Sequence, residues 1–344
     1  MDYFNKRIKF QLCRNYILQD TLSDWFEIVH KQKGFQKNKQ TSYQKLLETT
    51  IHTYIQDFIT HLLSKADCEP IMYSTSEKTI HYLQQKQHLL IYPTLYHKKY
   101  QVEVQPDVII HKDLFQKIFP TITNISREEL PEYIIFDILY NIFDLQVEKR
   151  IIKHNVSIYY HKCKLYIAYQ CIYPEQKYGF LIGKEYRENK QILPKKQTIG
   201  VFTFDDYMKN TIHECIKWLS KLRNNYKNWS ISPEPSCIEL YPNMNYKDSL
   251  WSDEKHKLAE KIQEITLVWN ISYHKRNLLI DKNITKWSDP LLLRHIYPFE
   301  IHENQRHKIQ SNLITINQSD ELIIKPRRIK HKDFITILNF PEEY

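Results

Sequence analysis

The sequence predicts an α/β protein with a mixed central sheet that is flanked by helices. An amphipathic helical pattern over residues 43–65 comes first, and a run of short β-branched and aromatic segments follows over about residues 71–140. After that run, helical and strand-like patterns alternate. This order is typical of a mixed sheet with helices on its faces rather than of an all-β or all-α protein.

Residues 11–30 predict two short helices, separated by a cap at Asp20 and Thr21. The clearest helix covers residues 43–65, and its apolar side, which we expect to pack on the sheet, carries Leu46, Leu47, Ile51, Tyr54, Ile55, Phe58 and Leu62. Strands are predicted at residues 89–92, 100–104, 108–110, 133–138 and 178–182. Helical patterns occur at 156–173, 205–223 and 254–269, the first of them as a helix or a helix followed by a strand.

The proline-rich stretch 231–243 is interpreted as a linker. We therefore expect two domains, residues 1–232 and residues 233–344. The second is expected to be mostly helical with a strand-like tail.

Composition limits the classes of function. Of 344 residues, 42% are hydrophobic and 26% are charged, which is typical of a chain with a sizeable core. The net charge of +9 favours a polyanionic partner such as nucleic acid. Four glycines exclude the glycine-rich loops of nucleotide-binding folds, and six cysteines without a CxxC pair predict a reduced, cytosolic protein. No apolar stretch is long enough for a membrane span, so no membrane partner is expected.

Two acidic residues belong to apolar strand patterns. Asp107 follows Pro106 at the start of one strand, and Asp137 lies inside the next. A buried carboxylate needs a cation or hydrogen-bond donors, and a shared Mg²⁺ or Mn²⁺ would satisfy both groups and activate water for phosphodiester cleavage. The alternative is that Asp107 caps a turn after Pro106 and that Asp137 is a structural hydrogen-bonding group. His52, at helical spacing from Glu48 and Gln56, is a candidate third ligand, or else an ordinary polar side chain.

Lysines and arginines in three places are candidate phosphate contacts. Lys162 and Lys164 lie in the segment HKCKLY that follows the second acidic strand. Basic and aromatic residues also interleave at 217–229 and 325–332, where the candidates are Lys221, Arg223, Arg327 and Arg328. In each place the alternative is solvated surface charge, with Trp218 and Trp229 as core anchors.

Several separate blocks, in the right order, resemble the RecB-type PD-(D/E)XK nuclease-like proteins of large cytoplasmic DNA viruses. Residues 14–25 (RNYILQDTLSDW) resemble the opening RNYxLxDPLxDW of that family. The strands PDVI at 106–109 and FDIL at 136–139 resemble PDLLV and IDIK, and HKCKLYI at 161–167 resembles YKxQLYI. Further similar blocks are FLIG at 180–183, ELYPNM at 239–244, ITLVW at 265–269 and WSDP at 287–290.

The resemblance implies a restriction-endonuclease-like fold in which Asp107 and Asp137 hold Mg²⁺ or Mn²⁺. The IDIK lysine, which stabilises the phosphate charge, is Leu139 in this chain, and Lys164 stands where Gln is usual and His161 where Tyr is usual. We therefore expect a degenerate nuclease-like protein that binds nucleic acid, DNA rather than RNA, with cleavage lost or weak. One alternative is an active deoxyribonuclease with a migrated lysine, Lys162 or Lys164. Another is a structural module that binds a viral protein.

Longer relatives continue into an RNase H-like exonuclease domain that opens with an acidic strand. Here Asn339 stands where the first metal-binding Asp of that domain is expected, and we expect the domain to be essentially missing. The resemblance also implies a location in the host cytoplasm, in a viral replication factory or in the virion.

Overall fold

The computed structural model describes residues 3–120, 125, 127–146, 151–153, 158–189, 191–193, 199–246, 250–268, 271–292 and 295. By its contacts the chain divides into two compact units, Met1–Ala259 and Glu260–Tyr344. Compact contact units do not by themselves define domains, so the boundary expected between residues 232 and 233 stays a prediction. The strand-like tail, Asn339 and the candidates Arg327 and Arg328 lie outside the described residues.

The strands are β1 (Ile8–Lys9), β2 (Ile71–Met72), β3 (Leu89–Ile91), β4 (Leu95–His97), β5 (Val102–Val104), β6 (Val108–His111), β7 (Tyr133–Asp144), β8 (Tyr178–Glu188), β9 (Gln191–Ile192) and β10 (Gly200–Thr203). The helices are α1 (Arg14–Ile17), α2 (Leu22–Lys33), α3 (Ser42–Lys65), α4 (Ser76–Gln84), α5 (Lys112–Ile118), α6 (Tyr159–Ile172), α7 (Asp206–Asn225), α8 (Ser252–Ile262) and α9 (Tyr273–Ile280).

The main sheet has the strand order β10-β8-β7-β6-β3-β2, with β9 paired to β8. The pairs β7/β8 and β2/β3 are parallel, and the other pairs are antiparallel. A smaller sheet has the order β1-β5-β4, and α6 packs between its strand β4 and strand β7 of the main sheet. The prediction of an α/β fold with a mixed sheet flanked by helices is confirmed.

The buried parts of the central strands are apolar apart from Asp137, because both of their faces are covered. Strand β3, the first three residues of β6 and the first seven of β7 are buried, and helices α3 and α6 pack against β7. Register then fixes which residues are neighbours across the sheet. Met72 pairs with Ile91, Ile91 with Val108, and Val108 with Phe136. The residues directly after Met72, Ile91 and Phe136 and the residue directly before Val108 therefore form one row across the sheet. This row is Tyr73, Tyr92, Asp107 and Asp137.

Some sequence predictions of elements were wrong. The stretch 71–140 contains the helices α4 and α5, which begin at caps made by the side chains of Thr75 and His111, and the strand β4. Short helices of this kind have too few turns to produce a helical periodicity. Helix α8 ends at Ile262, and a separate 3₁₀ turn follows at Ile265–Leu267.

The apolar side of α3 packs on the sheet only in its C-terminal half. Ile59 and Leu62 are buried, whereas Leu46 is 63% exposed. No helix within the described ranges is long and apolar enough to cross a membrane.

Residues 231–243, which the sequence analysis interprets as a linker, contact the N-terminal segment through Glu239 and Asn243. Leu240 is buried, Thr21 Oγ1 donates to the carbonyl of Glu239 at 2.5 Å, and Asn243 Nδ2 donates to the carbonyl of Gln19 at 2.9 Å. This segment is therefore attached to the start of α2, and its role as a linker between two domains stays a prediction.

Asp24, from the N-terminal motif, is a buried structural carboxylate. It accepts hydrogen bonds from Tyr3 Oη (2.8 Å), Asn15 Nδ2 (2.7 Å) and Trp218 Nε1 (2.8 Å), and burial raises its pKa to about 7. Its neighbour Asp20 accepts from Lys255 Nζ at 2.6 Å in an equally buried ion pair. Together the two carboxylates connect the N-terminal segment to α7 and α8.

The Asp24→Ala variant should lose about 3 kcal/mol of unfolding free energy, because the buried donors of Tyr3 and Trp218 then lack an acceptor. Urea unfolding followed by circular dichroism measures this loss. The matched control is Asp57→Ala on the exposed face of α3, which should change stability by less than about 0.5 kcal/mol. Equal effects of the two substitutions would show that Asp24 does not have this structural role.

Candidate functional site

Asp107 and Asp137 lie side by side where β6 and β7 pair, and we call them the carboxylate pair. The backbone N–H of Asp107 donates to Asp137 Oδ1 at 3.2 Å, and the backbone N–H of Ile138 donates to Asp107 Oδ2 at 2.7 Å. Each carboxylate is thus held by the backbone of the neighbouring strand. Asp137 is fully buried, and the side chain of Asp107 keeps 18% of its exposure.

Two side chains of α6 reach the carboxylate pair. Lys164 Nζ lies 2.8 Å from Asp137 Oδ1 and 3.9 Å from Asp107 Oδ1, and His161 Nδ1 lies 2.8 Å from Asp137 Oδ2. Residues three apart share a helix face, so the packing of α6 on β7 directs both side chains to the same point. Of the two lysines that the sequence proposed for this role, the structure brings Lys164 to the site.

Asp107, Asp137 and Lys164 shift one another's pKa values. Burial, followed by the nearby charge of Asp137, raises the pKa of Asp107 to about 6. Burial also acts to raise the pKa of Asp137, but the ammonium group of Lys164 and then His161 hold it below its ordinary value. Burial alone would lower the pKa of Lys164, and the two carboxylates raise it above its ordinary value. Lys164 therefore compensates two carboxylates whose pKa values are shifted in opposite directions.

Lys162 lies on the other side of α6. Its Nζ is 5.2 Å from the centre of the Phe202 ring, and burial lowers its pKa. Residues two apart on a helix do not face each other, which explains why Lys162 and Lys164 have different surroundings. Leu139, at the position of the family's lysine, is buried on the same face of β7 as Asp137.

His52 lies on an exposed part of α3, as does Glu48. One turn further along, Gln56 Nε2 donates to Tyr92 Oη at 3.3 Å, and Tyr92 adjoins Asp107. Within the described ranges there is no group of three His, Cys, Asp or Glu side chains placed to hold a metal ion. The role of His52 as a third ligand stays a prediction. The donors present are two carboxylates, which in kind fit Mg²⁺ or Mn²⁺.

The candidates on α7 make structural contacts. Lys221 Nζ lies 2.9 Å from Glu239 Oε2, and Arg223 donates to the backbone carbonyls of Tyr3 and Asn5. Trp218 is buried and stacks on Trp229 with ring centres 5.6 Å apart. These contacts support the structural alternative for this segment and leave its nucleic-acid role a prediction.

A cleft of about 410 Å³ is lined in part by His161 and Lys164, the two side chains of α6 that reach the carboxylate pair. Its walls come from the small sheet and α6 and include Lys9, Phe10, Thr94, Tyr160, His161 and Lys164. Sequence reasoning missed Phe10, Thr94 and Tyr160, because a wall formed by two separate elements leaves no local pattern. The size and mixed lining suit a small ligand or one nucleotide unit.

Comparison with known proteins assigns no family to the chain. It matches no protein-family model, and it matches no curated protein. The resemblance described above therefore stays a prediction that rests on the motifs.

Replacing Lys164 with Met should lower the unfolding free energy by about 2 kcal/mol, because the carboxylate pair loses its buried cation. The matched control is Lys162→Met in the same motif, which keeps the packing on Phe202 and should change stability by less than about 1 kcal/mol. Denaturant unfolding of both variants checks this. A larger loss for Lys162→Met would contradict the assignment of Lys164 as the compensating charge.

Proposed function

We propose that the protein is a metal-dependent phosphodiesterase of the PD-(D/E)XK type that acts on nucleic acid. The proposal rests on one observation, the position of Lys164 Nζ beside both Asp137 Oδ1 and Asp107 Oδ1. A lysine from α6 supplies the positive charge that Leu139 cannot supply. The geometry therefore favours the migrated-lysine alternative over the loss of activity that the sequence analysis expected.

Each residue of the cluster has a definable role in this proposal. Asp107 and Asp137 would hold Mg²⁺ or Mn²⁺, which when bound polarises the phosphate and activates water. Lys164 would stabilise the negative charge that develops on the phosphate in the transition state. His161 holds the orientation of Asp137 through the 2.8 Å contact with Oδ2. The net charge of +9 favours binding of the polyanionic substrate, and the resemblance adds viral DNA in the host cytoplasm as the expected substrate.

A second candidate is nucleic-acid binding without cleavage. Two features favour it. Leu139 is apolar, and Lys164 forms an ion pair with Asp137, so the charge of this carboxylate is already balanced without a metal ion. In that case the cluster stabilises the sheet, and the net charge of +9 favours binding of the phosphate backbone.

The wild-type protein should cleave labelled linear DNA in Mn²⁺ or Mg²⁺, and Asp107→Ala and Asp137→Ala should abolish cleavage. Lys164→Gln, which places the family's usual residue there, should slow it about 100-fold or more, and Lys162→Gln serves as the matched control with nearly wild-type rate. The double variant Lys164→Gln/Leu139→Lys has a lysine in β7, two residues after Asp137. It should recover part of the cleavage rate that Lys164→Gln loses. Unchanged cleavage by Lys164→Gln would contradict the proposal.

The second candidate makes a different prediction. Wild-type protein that does not cleave should still bind labelled DNA, and the logarithm of the affinity should fall linearly with the logarithm of salt concentration, because phosphate contacts release counterions. Fluorescence anisotropy at several salt concentrations measures the slope. Absence of both cleavage and salt-sensitive binding would reject both nucleic-acid functions and leave a protein-interaction role.

A further inference from the structure

Tyr73 and Tyr92 form a stacked ring pair next to the carboxylate pair. Their ring centres are 5.1 Å apart and their planes differ by 23°. Each follows the last residue of a strand, Met72 in β2 and Ile91 in β3, and these two residues are register partners in a parallel pairing. The stacking is therefore built into the edge of the main sheet. Tyr73 is 67% exposed, so one face of the ring pair is open to solvent.

Both tyrosines have left-handed backbone conformations, with φ of 52° at each. A bulky residue at such a φ is an outlier, because its Cβ approaches the backbone. In the described part of the chain, the other non-glycine residues with positive φ are Gln, Lys or Asn, and none of them is aromatic. Glycine or asparagine would adopt this conformation more easily, so the aromatic rings are present at a conformational cost. Strain of this kind is concentrated at functional sites.

The ring pair belongs to the same row across the sheet as the carboxylate pair. The backbone N–H of Tyr92 donates to the carbonyl of Asp107 at 2.8 Å, and Gln56 Nε2 donates to Tyr92 Oη. Neighbouring strands are about 4.8 Å apart, so Tyr73 lies roughly 10 Å from Asp107. This is a separation between backbones, and it leaves room for about one nucleotide between Tyr73 and a phosphate bound at the carboxylate pair.

We infer that Tyr73 and Tyr92 form a platform on which an unpaired base of single-stranded nucleic acid stacks, beside the phosphate that the carboxylate pair acts on. This inference rests on the proposed function for its position and names the substrate class of that site. Aromatic side chains stack on bases of any sequence, and a base inside a duplex does not expose its face. The platform therefore selects single strands or frayed ends over intact duplex.

The test measures binding without catalysis. A fluorescein-labelled 12-nucleotide single strand, as DNA and as RNA, and a duplex of the same sequence are titrated in EDTA at fixed salt by fluorescence anisotropy. Tyr73→Leu removes the ring, and Tyr73→Phe keeps it. The matched control is Tyr207→Leu, since Tyr207 is 64% exposed and also contacts another tyrosine ring, that of Tyr159. Thermal unfolding verifies that each variant is folded.

Tyr73→Leu should weaken single-strand binding about tenfold and change duplex binding less than twofold. Tyr73→Phe and Tyr207→Leu should bind within about twofold of the wild type. A 2-aminopurine base in the strand should lose fluorescence on binding to wild type and Tyr73→Phe, and keep it with Tyr73→Leu.

Three results would overturn the platform. The first is that Tyr73→Leu binds the single strand as tightly as the wild type does. The others are an equal loss of affinity in Tyr207→Leu, and no single-strand binding by the wild type. The first of these results, together with metal-dependent cleavage that requires Asp137 and Lys164, would leave the proposed function intact. Selective weakening by Tyr73→Leu in a protein that does not cleave would instead retain the platform and reject hydrolysis.

Discussion

The arrangement of the main sheet depends on the compensation of two like charges inside it. Asp107 lies just before β6 and Asp137 lies in the adjacent strand β7, where each is hydrogen-bonded to the neighbouring backbone, and Asp137 has no solvent contact. Two such carboxylates are tolerated only with donors and a cation close by. The backbone N–H groups of Asp107 and Ile138 supply the donors, and Lys164 supplies the cation. The position of α6 against β7 is therefore an electrostatic requirement as well as a matter of apolar packing, and it also forms one wall of the cleft.

The acidic residues of the N-terminal block have a different physical role. Asp20 and Asp24 lie among buried donors, where they connect the first helices to Lys255 of α8 and Trp218 of α7. Burial raises the pKa of Asp24 to about 7, and its carboxylate oxygens accept hydrogen bonds from Tyr3, Asn15 and Trp218. A block that resembles a nuclease family therefore contributes to stability here, and the chemistry of the proposal depends on the later blocks alone.

The row formed by Tyr73, Tyr92, Asp107 and Asp137 joins two kinds of recognition in one line across the sheet. Charge lies at the centre, where the strands are buried and a cation is held at fixed geometry. Aromatic surface lies at the edge, where β2 is short and the chain turns away through a left-handed residue. A phosphate at the centre and a base at the edge would be neighbouring parts of the same strand, which is how the proposed activity and the proposed platform are related.

Local patterns in the sequence determined the α/β class, most central strands, the long helices α3, α6 and α7, and the candidates Asp107 and Asp137. Alternation and helical periodicity are properties of neighbouring residues, so a single chain displays them directly. Tertiary structure placed Lys164, and not Lys162, beside the carboxylate pair, because the position of each lysine depends on which face of α6 packs on β7. It also decided that residues 233–243 attach to α2 and that Tyr73 meets Tyr92, since both result from contacts between distant segments. Strand register and helix docking depend on contacts between residues far apart in the sequence, so local sequence patterns do not predict them.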